Sequence, residues 1–256
     1  MRLEELEKMR RLEDRYWWFV GRRRLLRNLL QRYAPDAELI LDIGCGTGGT
    51  LTALDDLGAL VGTDLSPDAL DFCALRGHRC LVRSRAEELP FETGTFDVAI
   101  CADMLEHLDD DEKGFAEVMR ILKPGGTALM TVPAYPWLWS EHDEALSHRR
   151  RYLAGDLRAK IVAAGGEVLK VSHDVSFVFP IVLVVRLLNR LRLRRLGKPH
   201  TQIMSLPGWL NRFFTGLQAV EAWLVTRVNL PVGTSIVAVA RKPAESQEGA
   251  GAAGDG

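Results

Sequence analysis

Residues 39–49 read Leu39-Ile40-Leu41-Asp42-Ile43-Gly44-Cys45-Gly46-Thr47-Gly48-Gly49, and this stretch decides the fold. An apolar run ends at an acid and passes into closely spaced glycines, which predicts a buried strand, a tight turn and a helix from about Thr50. Glycine is needed where the backbone adopts unusual dihedral angles or where a ligand touches the main chain. Such a turn, at the carboxyl end of a strand in an open α/β sheet, is where nucleotide-like ligands bind.

Two interpretations of this turn compete. Gly44, Gly46 and Gly49 satisfy the G-x-G-x-x-G pattern of dinucleotide-binding proteins, which would make the chain an NAD(P)-dependent oxidoreductase. Asp42 argues against this interpretation, because a carboxylate two residues before the first glycine would repel a pyrophosphate. The acid suits a ligand with a cationic end, and S-adenosylmethionine carries an ammonium and a sulfonium but no phosphate. The glycine amides and the helix N-terminus would favour the carboxylate of that ligand.

The run from Leu41 to Gly48 resembles the first motif of the class I S-adenosylmethionine-dependent methyltransferases without a mismatch. Further segments that resemble the motifs of this family follow in the expected order, and the resemblance covers residues 36–175. The chain is similar to small-molecule methyltransferases of the quinone-biosynthesis type. The resemblance implies an α/β, Rossmann-like, seven-stranded and mostly parallel sheet with helices on both faces. It also implies an antiparallel last strand, with a helical insertion between strands six and seven.

The resemblance assigns a part of the cofactor to each motif. Asp42 and the glycines hold the methionine end, Asp64 holds the ribose hydroxyls, and Ala86 offers its backbone N–H to the adenine. The predicted S-adenosylmethionine-binding residues are Asp42, Gly44, Cys45, Gly46, Gly48, Asp64, Leu65, Ala86, Glu87, Asp103 and Met104. One residue departs from the family pattern, because Arg85 stands where many members carry Asp. Arginine cannot accept a hydrogen bond from the adenine amino group, so it would stack on the ring or face water.

The acceptor side is predicted from the segment Trp137–Tyr152, which gathers two histidines, three acids and three arginines after the fifth strand. Methyl transfer from a sulfonium is an in-line displacement with an activated leaving group, so catalysis needs mainly proximity and alignment. A base helps only if the acceptor is a hydroxyl, and histidine suits that role near pH 7. His107 and His142 are the candidate catalytic bases. No Cys/His cluster has zinc-like spacing, so no metal is expected.

Composition limits the class of protein further. The chain has 256 residues, is 47% hydrophobic and has a formal net charge of −1, which gives no global attraction to nucleic acid. Its charged start lacks the apolar region of a signal peptide. The four cysteines form no C-x-x-C pair, which indicates reduced thiols and a cytoplasmic location.

Three parts are predicted along the chain. Residues 1–35 form an N-terminal helical segment whose Trp17 and Trp18 either pack on the core or cover the acceptor pocket. Residues 36–243 form the methyltransferase domain, in which residues 175–230 are an insertion. Residues 244–256 are a disordered tail, because they are rich in Gly and Ala.

The insertion has an unusual composition. An apolar run from Phe177 to Val185 leads into the basic run Arg186–Arg195, and between Val175 and Val220 there are seven Arg/Lys residues and no acid. Three interpretations remain open: a helix at an anionic membrane surface through residues 177–198, a helix packed on the core, or a patch for nucleic acid.

The sequence therefore predicts a cytoplasmic S-adenosylmethionine-dependent methyltransferase for a small-molecule or lipid-like acceptor. It would be peripheral on the inner face of the membrane if the insertion is a membrane-surface helix. The alternatives are the oxidoreductase and a non-catalytic, membrane-associated S-adenosylmethionine-binding scaffold. The residues do not identify the acceptor, the atom that is methylated or the oligomeric state.

Overall fold

The computed structural model describes residues 3–192 and 206–244, and its centre is a seven-stranded sheet. The strands are β1 (Leu39–Ile43), β2 (Ala59–Asp64), β3 (Leu81–Arg83), β4 (Phe96–Ala102), β5 (Leu122–Pro133), β6 (Glu167–Asp174) and β7 (Ser235–Arg241). Their order across the sheet is β3-β2-β1-β4-β5-β7-β6. Only β7 runs antiparallel to its neighbours among these strands. The predicted fold class is therefore confirmed, and the order reverses between β1 and β4, where ligands of open α/β sheets bind.

Helices cover both faces of the sheet. They are α1 (Leu3–Leu12), α2 (Trp17–Tyr33), α3 (Gly49–Leu54), α4 (Pro67–Leu75), α5 (Asp111–Ile121), α6 (Glu141–Ala145), α7 (Ala154–Ala163), α8 (Phe179–Arg192) and α9 (Gly208–Arg227). Successive side chains of a strand point to opposite faces, and β1 shows this directly. Leu41 and Ile43 belong to the core cluster that includes α5 and α7, while Ile40 belongs to the cluster that includes α2 and α9.

Local sequence signals explain where several helices begin. Ser66 caps α4 by accepting a hydrogen bond from the Ala69 amide at 3.4 Å, and Pro67 occupies the first helical position, as the sequence predicts. Asp110 caps α5 in the same way, accepting from the Lys113 amide at 3.0 Å. These caps fix helices that start at the carboxyl end of the sheet.

The connection between β6 and β7 contains two helices, α8 and α9. Helix α9 packs closely on α2, since a Cβ on Gly21 would come within 2.8 Å of the Gln218 side chain. Ala222 and Val225 of α9 enter the core beside the α2 leucines. The inner face of α9 is thus core packing, which was one of the three interpretations of the insertion. The basic run beyond residue 192, with Arg194 and Arg195, and the predicted tail beyond Ala244 lie outside the described residues.

Candidate cofactor and acceptor site

Strained backbone collects at one edge of the sheet. In the described parts of the chain, four residues other than glycine have positive φ: Asp103 (52°), Tyr135 (60°), Ser147 (61°) and Val175 (60°). Asp103, Tyr135 and Val175 follow β4, β5 and β6, whose carboxyl ends meet at this edge. Such conformations cost about 1–3 kcal/mol each and cluster where structure serves function. This edge is therefore the candidate site.

The glycine turn after β1 needs glycine for two reasons. Gly44 and Gly46 have φ of 74° and 53°, which L side chains rarely adopt. A Cβ on Gly44 would also overlap the Cγ of Met104 and lie 3.0 Å from its Cβ. The turn is fixed by hydrogen bonds from the amides of Gly44 and Cys45 to the Thr63 carbonyl at 2.8 and 2.9 Å. Met104, which is predicted to bind the cofactor, thus lies directly against the turn.

Asp42 lies at the end of β1 and is buried. Its Oδ2 has no hydrogen-bond partner within the described residues. Burial, reinforced by the nearby charge of Asp64, raises the pKa of Asp42 to about 7. A buried carboxyl with an unused oxygen, beside a glycine turn, is a group that a cationic ligand would stabilise.

Asp64 ends β2 and links two loops. Its carboxylate accepts from the Gly46 amide at 3.0 Å and from the Ser66 amide at 2.9 Å. Each carboxylate oxygen has a further lone pair for a ligand hydroxyl. The next residue, Leu65, leaves 54% of its surface exposed, so this edge offers an apolar contact beside the carboxylate.

The predicted adenine segment follows β3. Ala86 is half-buried and packs against the core, and Glu87 is buried. Arg85 extends its guanidinium to Glu87, with Nη2 3.2 Å from Oε1. The sequence left open whether Arg85 stacks on the adenine or faces water. In the structure, Arg85 forms an ion pair with Glu87.

The N-terminal helices cover the glycine turn, which sequence reasoning did not predict. A Cβ on Gly46 would come within 2.8 Å of the Met9 side chain from α1. Glu13, buried between α1 and α2, accepts a hydrogen bond from the Thr47 hydroxyl. Arg76 of α4 joins this contact, with Nη2 2.5 Å from Glu13 Oε1. The N-terminal segment is thus part of the candidate site.

Arg22 of α2 connects the two halves of the candidate site and was also missed. Its buried guanidinium lies 2.9 Å from Asp174 Oδ2 and 3.1 Å from Asp103 Oδ2. It also donates to the Ser235 hydroxyl at 2.9 Å and lies 5.1 Å from the centre of the Trp18 ring. The sequence signal was the basic cluster after the aromatic residues, but nothing in it singles out this arginine.

An aromatic stack forms the wall beyond β5. The Tyr135 ring lies between Trp137 and His173, with ring centres 5.1 and 5.2 Å apart. Trp17 and Trp18 pack differently, because the Trp17 ring centre lies 5.5 Å from that of Phe214 on α9, whereas Trp18 lies against Arg22.

The two candidate bases, His107 and His142, lie in different surroundings. His107 ends a short 3-10 helix after β4, and its ring is 4.9 Å from that of His148. Burial, with a smaller effect of His148, lowers the pKa of His107 to about 4. Burial also lowers the pKa of His142 to about 4. Both imidazoles are neutral at pH 7 and accept protons weakly, so their role as bases stays a prediction.

Comparison with known proteins supports one family. Residues 41–130 match the family model described as a methyltransferase domain. A ubiquinone biosynthesis O-methyltransferase of Xanthomonas oryzae is 32% identical over 142 residues, covering 50% of this chain and 59% of that protein.

The chain contains a class I S-adenosylmethionine-dependent methyltransferase domain.

The names of other relatives of this methyltransferase domain specify different acceptors. A sterol 4-C-methyltransferase of Caenorhabditis elegans is 36% identical over 94 residues, covering 34% of this chain and 28% of that protein. A tRNA (carboxymethyluridine(34)-5-O)-methyltransferase of Xenopus tropicalis is 31% identical over 122 residues, covering 46% and 18%. The chain spans between about a fifth and three fifths of the length of these curated relatives.

Solved structures agree on the fold. A methyltransferase from Archaeoglobus fulgidus has a TM-score of 0.56 at 18% identity, covering 86% of this chain and 94% of that one. The Haemonchus contortus phosphoethanolamine N-methyltransferase 2, in complex with S-adenosylmethionine, has a TM-score of 0.54 at 24% identity, covering 85% and 52%.

The residues of the methyltransferase domain fit S-adenosylmethionine, the cofactor of this family. The Asp42 oxygen that has no hydrogen-bond partner within the described residues would face the cationic end of the methionine part. The turn beside it leaves no room for a side chain at Gly44. The free lone pairs of Asp64 and the exposed side chain of Leu65 suit a ribose and an adenine ring. No phosphate is required, which agrees with the negative charge of Asp42 and Asp64.

We expect Asp64→Ala to weaken S-adenosylhomocysteine binding by about 10- to 150-fold, because hydrogen bonds to a charged group contribute about 1.5–3 kcal/mol. Calorimetry measures this change. Asp68→Ala, on the neighbouring helix α4, is the matched control and should leave the affinity unchanged. Equal affinities for a folded Asp64→Ala variant and the wild type would refute the ribose assignment.

Cofactor affinity should also depend on pH through Asp42. With a pKa of about 7 in the unliganded protein, this carboxyl is protonated below pH 7, whereas a cationic ligand favours the ionised form. The affinity should therefore fall about tenfold per pH unit as the pH drops below 7, and proton release should accompany binding. Calorimetry from pH 5.5 to 8.5, in buffers of different ionisation enthalpy, tests both. Asp42→Asn should bind weakly at every pH, and a wild type with one affinity across this range would contradict the role.

Proposed function

We propose that the chain transfers a methyl group from S-adenosylmethionine to a lipid-like acceptor at an anionic membrane surface, on the inner face of the cytoplasmic membrane. The observation that carries this proposal is the outer face of α9, which exposes a continuous apolar stripe. Residues 36–243 act as the methyltransferase domain in this proposal, and α8 and α9 within residues 175–230 bind the surface.

The outer face of α9 carries large apolar side chains from Trp209 to Trp223, and the Arg227 guanidinium lies 4.1 Å from the centre of the Trp223 ring at its end. Trp209, Phe213, Val220 and Trp223 follow one another at spacings of four, seven and three residues, which place them on one side of the helix. Their surfaces are 67%, 60%, 54% and 51% exposed. Exposed apolar stripes of this size mark an interaction site. Tryptophan in particular favours the boundary between lipid headgroups and acyl chains.

Helix α8 carries a second exposed apolar surface. Its side chains Ile181, Val184 and Val185 are exposed, and Phe177 precedes them. Of the seven Arg/Lys residues between 175 and 220, Arg186 lies 3.9 Å from the Asp143 carboxylate, and the other six, with no acid among them, would complement anionic lipids. None of the helices described is long and apolar enough to cross a bilayer. The combination suits helices that lie on the membrane rather than in it.

The acceptors named for two of the relatives are lipids, which supports a lipid-like acceptor for this chain. Sterols and ubiquinone are lipids, whereas another relative acts on a tRNA. A surface for RNA would place basic groups along the exposed helix face to contact the phosphates. The apolar stripe of α9 instead favours a partner that buries hydrocarbon, and the net charge of −1 gives no general attraction to RNA.

A vesicle experiment tests the surface. The wild type should co-sediment with phosphatidylglycerol vesicles, less with phosphatidylcholine, and only partly dissociate in high salt, because burial of the apolar stripe is insensitive to salt. Trp209→Ser, Phe213→Ser and Trp223→Ser should each weaken binding by about tenfold, from the loss of about 1.5 kcal/mol or more of apolar burial.

The matched controls are Leu75→Ser and Val162→Ser, which remove equally exposed apolar side chains from α4 and α7. They should bind vesicles as the wild type does. Methyl transfer from labelled S-adenosylmethionine into lipid and aqueous extracts then identifies the acceptor class. If the wild type ignores both kinds of vesicle and labels only an aqueous fraction, the acceptor is soluble and the proposal is wrong.

A further inference from the structure

Glu106 is the most unusual side chain near the candidate site. It is fully buried in the 3-10 helix after β4, and neither carboxylate oxygen has a hydrogen-bond partner within the described residues. A buried carboxyl without partners is costly unless a ligand or cation compensates for it. Nε2 of His148, in the loop after α6, lies 3.9 Å from Glu106 Oε1.

The orientation of His148 is fixed from behind. Its Nδ1 lies 2.9 Å from Asp143 Oδ1, and Asp143 is held in turn by the Arg151 guanidinium, with Nε at 2.7 Å. Because the ion pair with Arg151 keeps Asp143 a carboxylate, Nδ1 of His148 must be the donor. Nε2 is then the acceptor nitrogen and faces Glu106. A carboxylate behind a histidine is the arrangement that orients metal ligands in proteins.

His107 completes the group. Its ring forms a hydrogen bond with the backbone of Ser147, and this second contact fixes the orientation of the ring. The rings of His107 and His148 are nearly perpendicular, at 79°. The ligand atoms of Glu106, His107 and His148 all lie within 4.8 Å of one another. Tetrahedral zinc, with bonds of about 2.0–2.2 Å, places its ligand atoms about 3.4 Å apart, so small side-chain rotations bring the three into place.

We propose that Glu106, His107 and His148 bind one divalent transition-metal ion, with zinc as the best fit. Two imidazoles and one carboxylate are a ligand set of zinc and of similar transition metals, whereas Mg²⁺ and Ca²⁺ prefer oxygen ligands only. Three protein ligands leave at least one coordination position open. The observation that carries the proposal is the unpartnered buried carboxyl facing two separately oriented histidines.

The position suggests what the ion does, and this part rests on the proposed function. His107 lies three residues beyond Met104, which packs against the glycine turn of the cofactor site. An ion there would bind an acceptor hydroxyl and lower its pKa, so that the hydroxyl loses its proton to water and its oxygen bonds to the methyl carbon while the bond from that carbon to sulfur breaks and S-adenosylhomocysteine leaves. This would favour an acceptor with a hydroxyl group.

Metal binding itself is tested without activity. We expect chelator-treated, dialysed protein to bind one Zn²⁺ per chain in calorimetry and elemental analysis. Glu106→Gln and His107→Asn should each weaken zinc binding by more than about 100-fold, because even an outer-shell change costs 10- to 100-fold. His78→Asn and Cys80→Ser, which remove potential ligands outside the group, are the matched controls and should keep it.

S-adenosylhomocysteine binding reports folding and keeps the two proposals separate. Both ligand variants should bind S-adenosylhomocysteine like the wild type, with or without zinc. The proposed metal site is wrong if the wild type binds S-adenosylhomocysteine but takes up less than about a tenth of a zinc ion per chain. That result would leave the proposed methyltransferase function unaffected. Zinc binding that survives in a folded Glu106→Gln or His107→Asn variant, or that is lost in His78→Asn or Cys80→Ser, also overturns it.

Discussion

Arg22→Met should lower the free energy of unfolding by about 3–5 kcal/mol, which is the cost of leaving buried charges without their partner. The arginine is buried and lies within 3.1 Å of both Asp103 and Asp174. Asp174 is itself buried, and burial raises its pKa, an effect that the Arg22 charge opposes. For a chain of this size the loss corresponds to about 6–20 °C in melting temperature. Thermal unfolding followed by circular dichroism measures it.

Two further variants make this prediction specific. Arg24→Met, on the exposed side of the same helix, should change the melting temperature by less than about 2 °C. Asp174→Asn in the Arg22→Met background should restore part of the loss, because it removes one of the abandoned charges. If Arg22→Met melts like Arg24→Met, Arg22 does not hold the two acids in place.

Gly44→Ala should reduce S-adenosylhomocysteine affinity by about 30-fold or more. The new Cβ meets Met104, and the φ of 74° costs an L residue about 1–2 kcal/mol. Relief of the overlap with a well-packed side chain costs about 1–3 kcal/mol more and displaces either the turn or Met104. Both elements belong to the candidate cofactor site, so affinity suffers along with stability. Calorimetry on the folded fraction gives the affinity.

Gly165→Ala separates the two causes. Gly165 has a similar φ of 85°, but a Cβ there meets nothing within 4 Å. This variant should show the cost of the backbone strain alone and bind S-adenosylhomocysteine as the wild type does. An unchanged affinity in Gly44→Ala would mean that the glycine turn does not shape the cofactor site.

Most of the sheet could be predicted from the sequence because its signals are local. The run Leu39–Gly49 carries the strand, the turn and the helix start within eleven residues. Strand β7 is an uninterrupted β-branched and alanine run, and the cap at Ser66 with Pro67 fixes α4 by short-range chemistry. Family resemblance supplied the mostly parallel sheet with its antiparallel last strand, which no local pattern determines, while the order of the strands is known only from the structure.

The parts that were missed depend on contacts between distant segments. Arg22 is one of three consecutive arginines, and only the fold brings it to Asp174, 152 residues away. His148 is 41 residues from His107, so only the fold brings their rings to within 4.9 Å of each other. The outer stripe of α9 was missed because the inner face buries polar residues such as Gln218 and Glu221, so polarity along the helix does not indicate which face is exposed.

Binding of S-adenosylhomocysteine compared with NAD and NADP tests the central claim most directly, because the two classes of ligand differ in charge where Asp42 and Asp64 lie. Thermal unfolding with each ligand requires no knowledge of the acceptor. S-adenosylhomocysteine at a hundredfold excess over its dissociation constant should stabilise the protein by about 2.7 kcal/mol, while NAD and NADP should have no effect. Stabilisation by a nicotinamide dinucleotide alone would contradict the account.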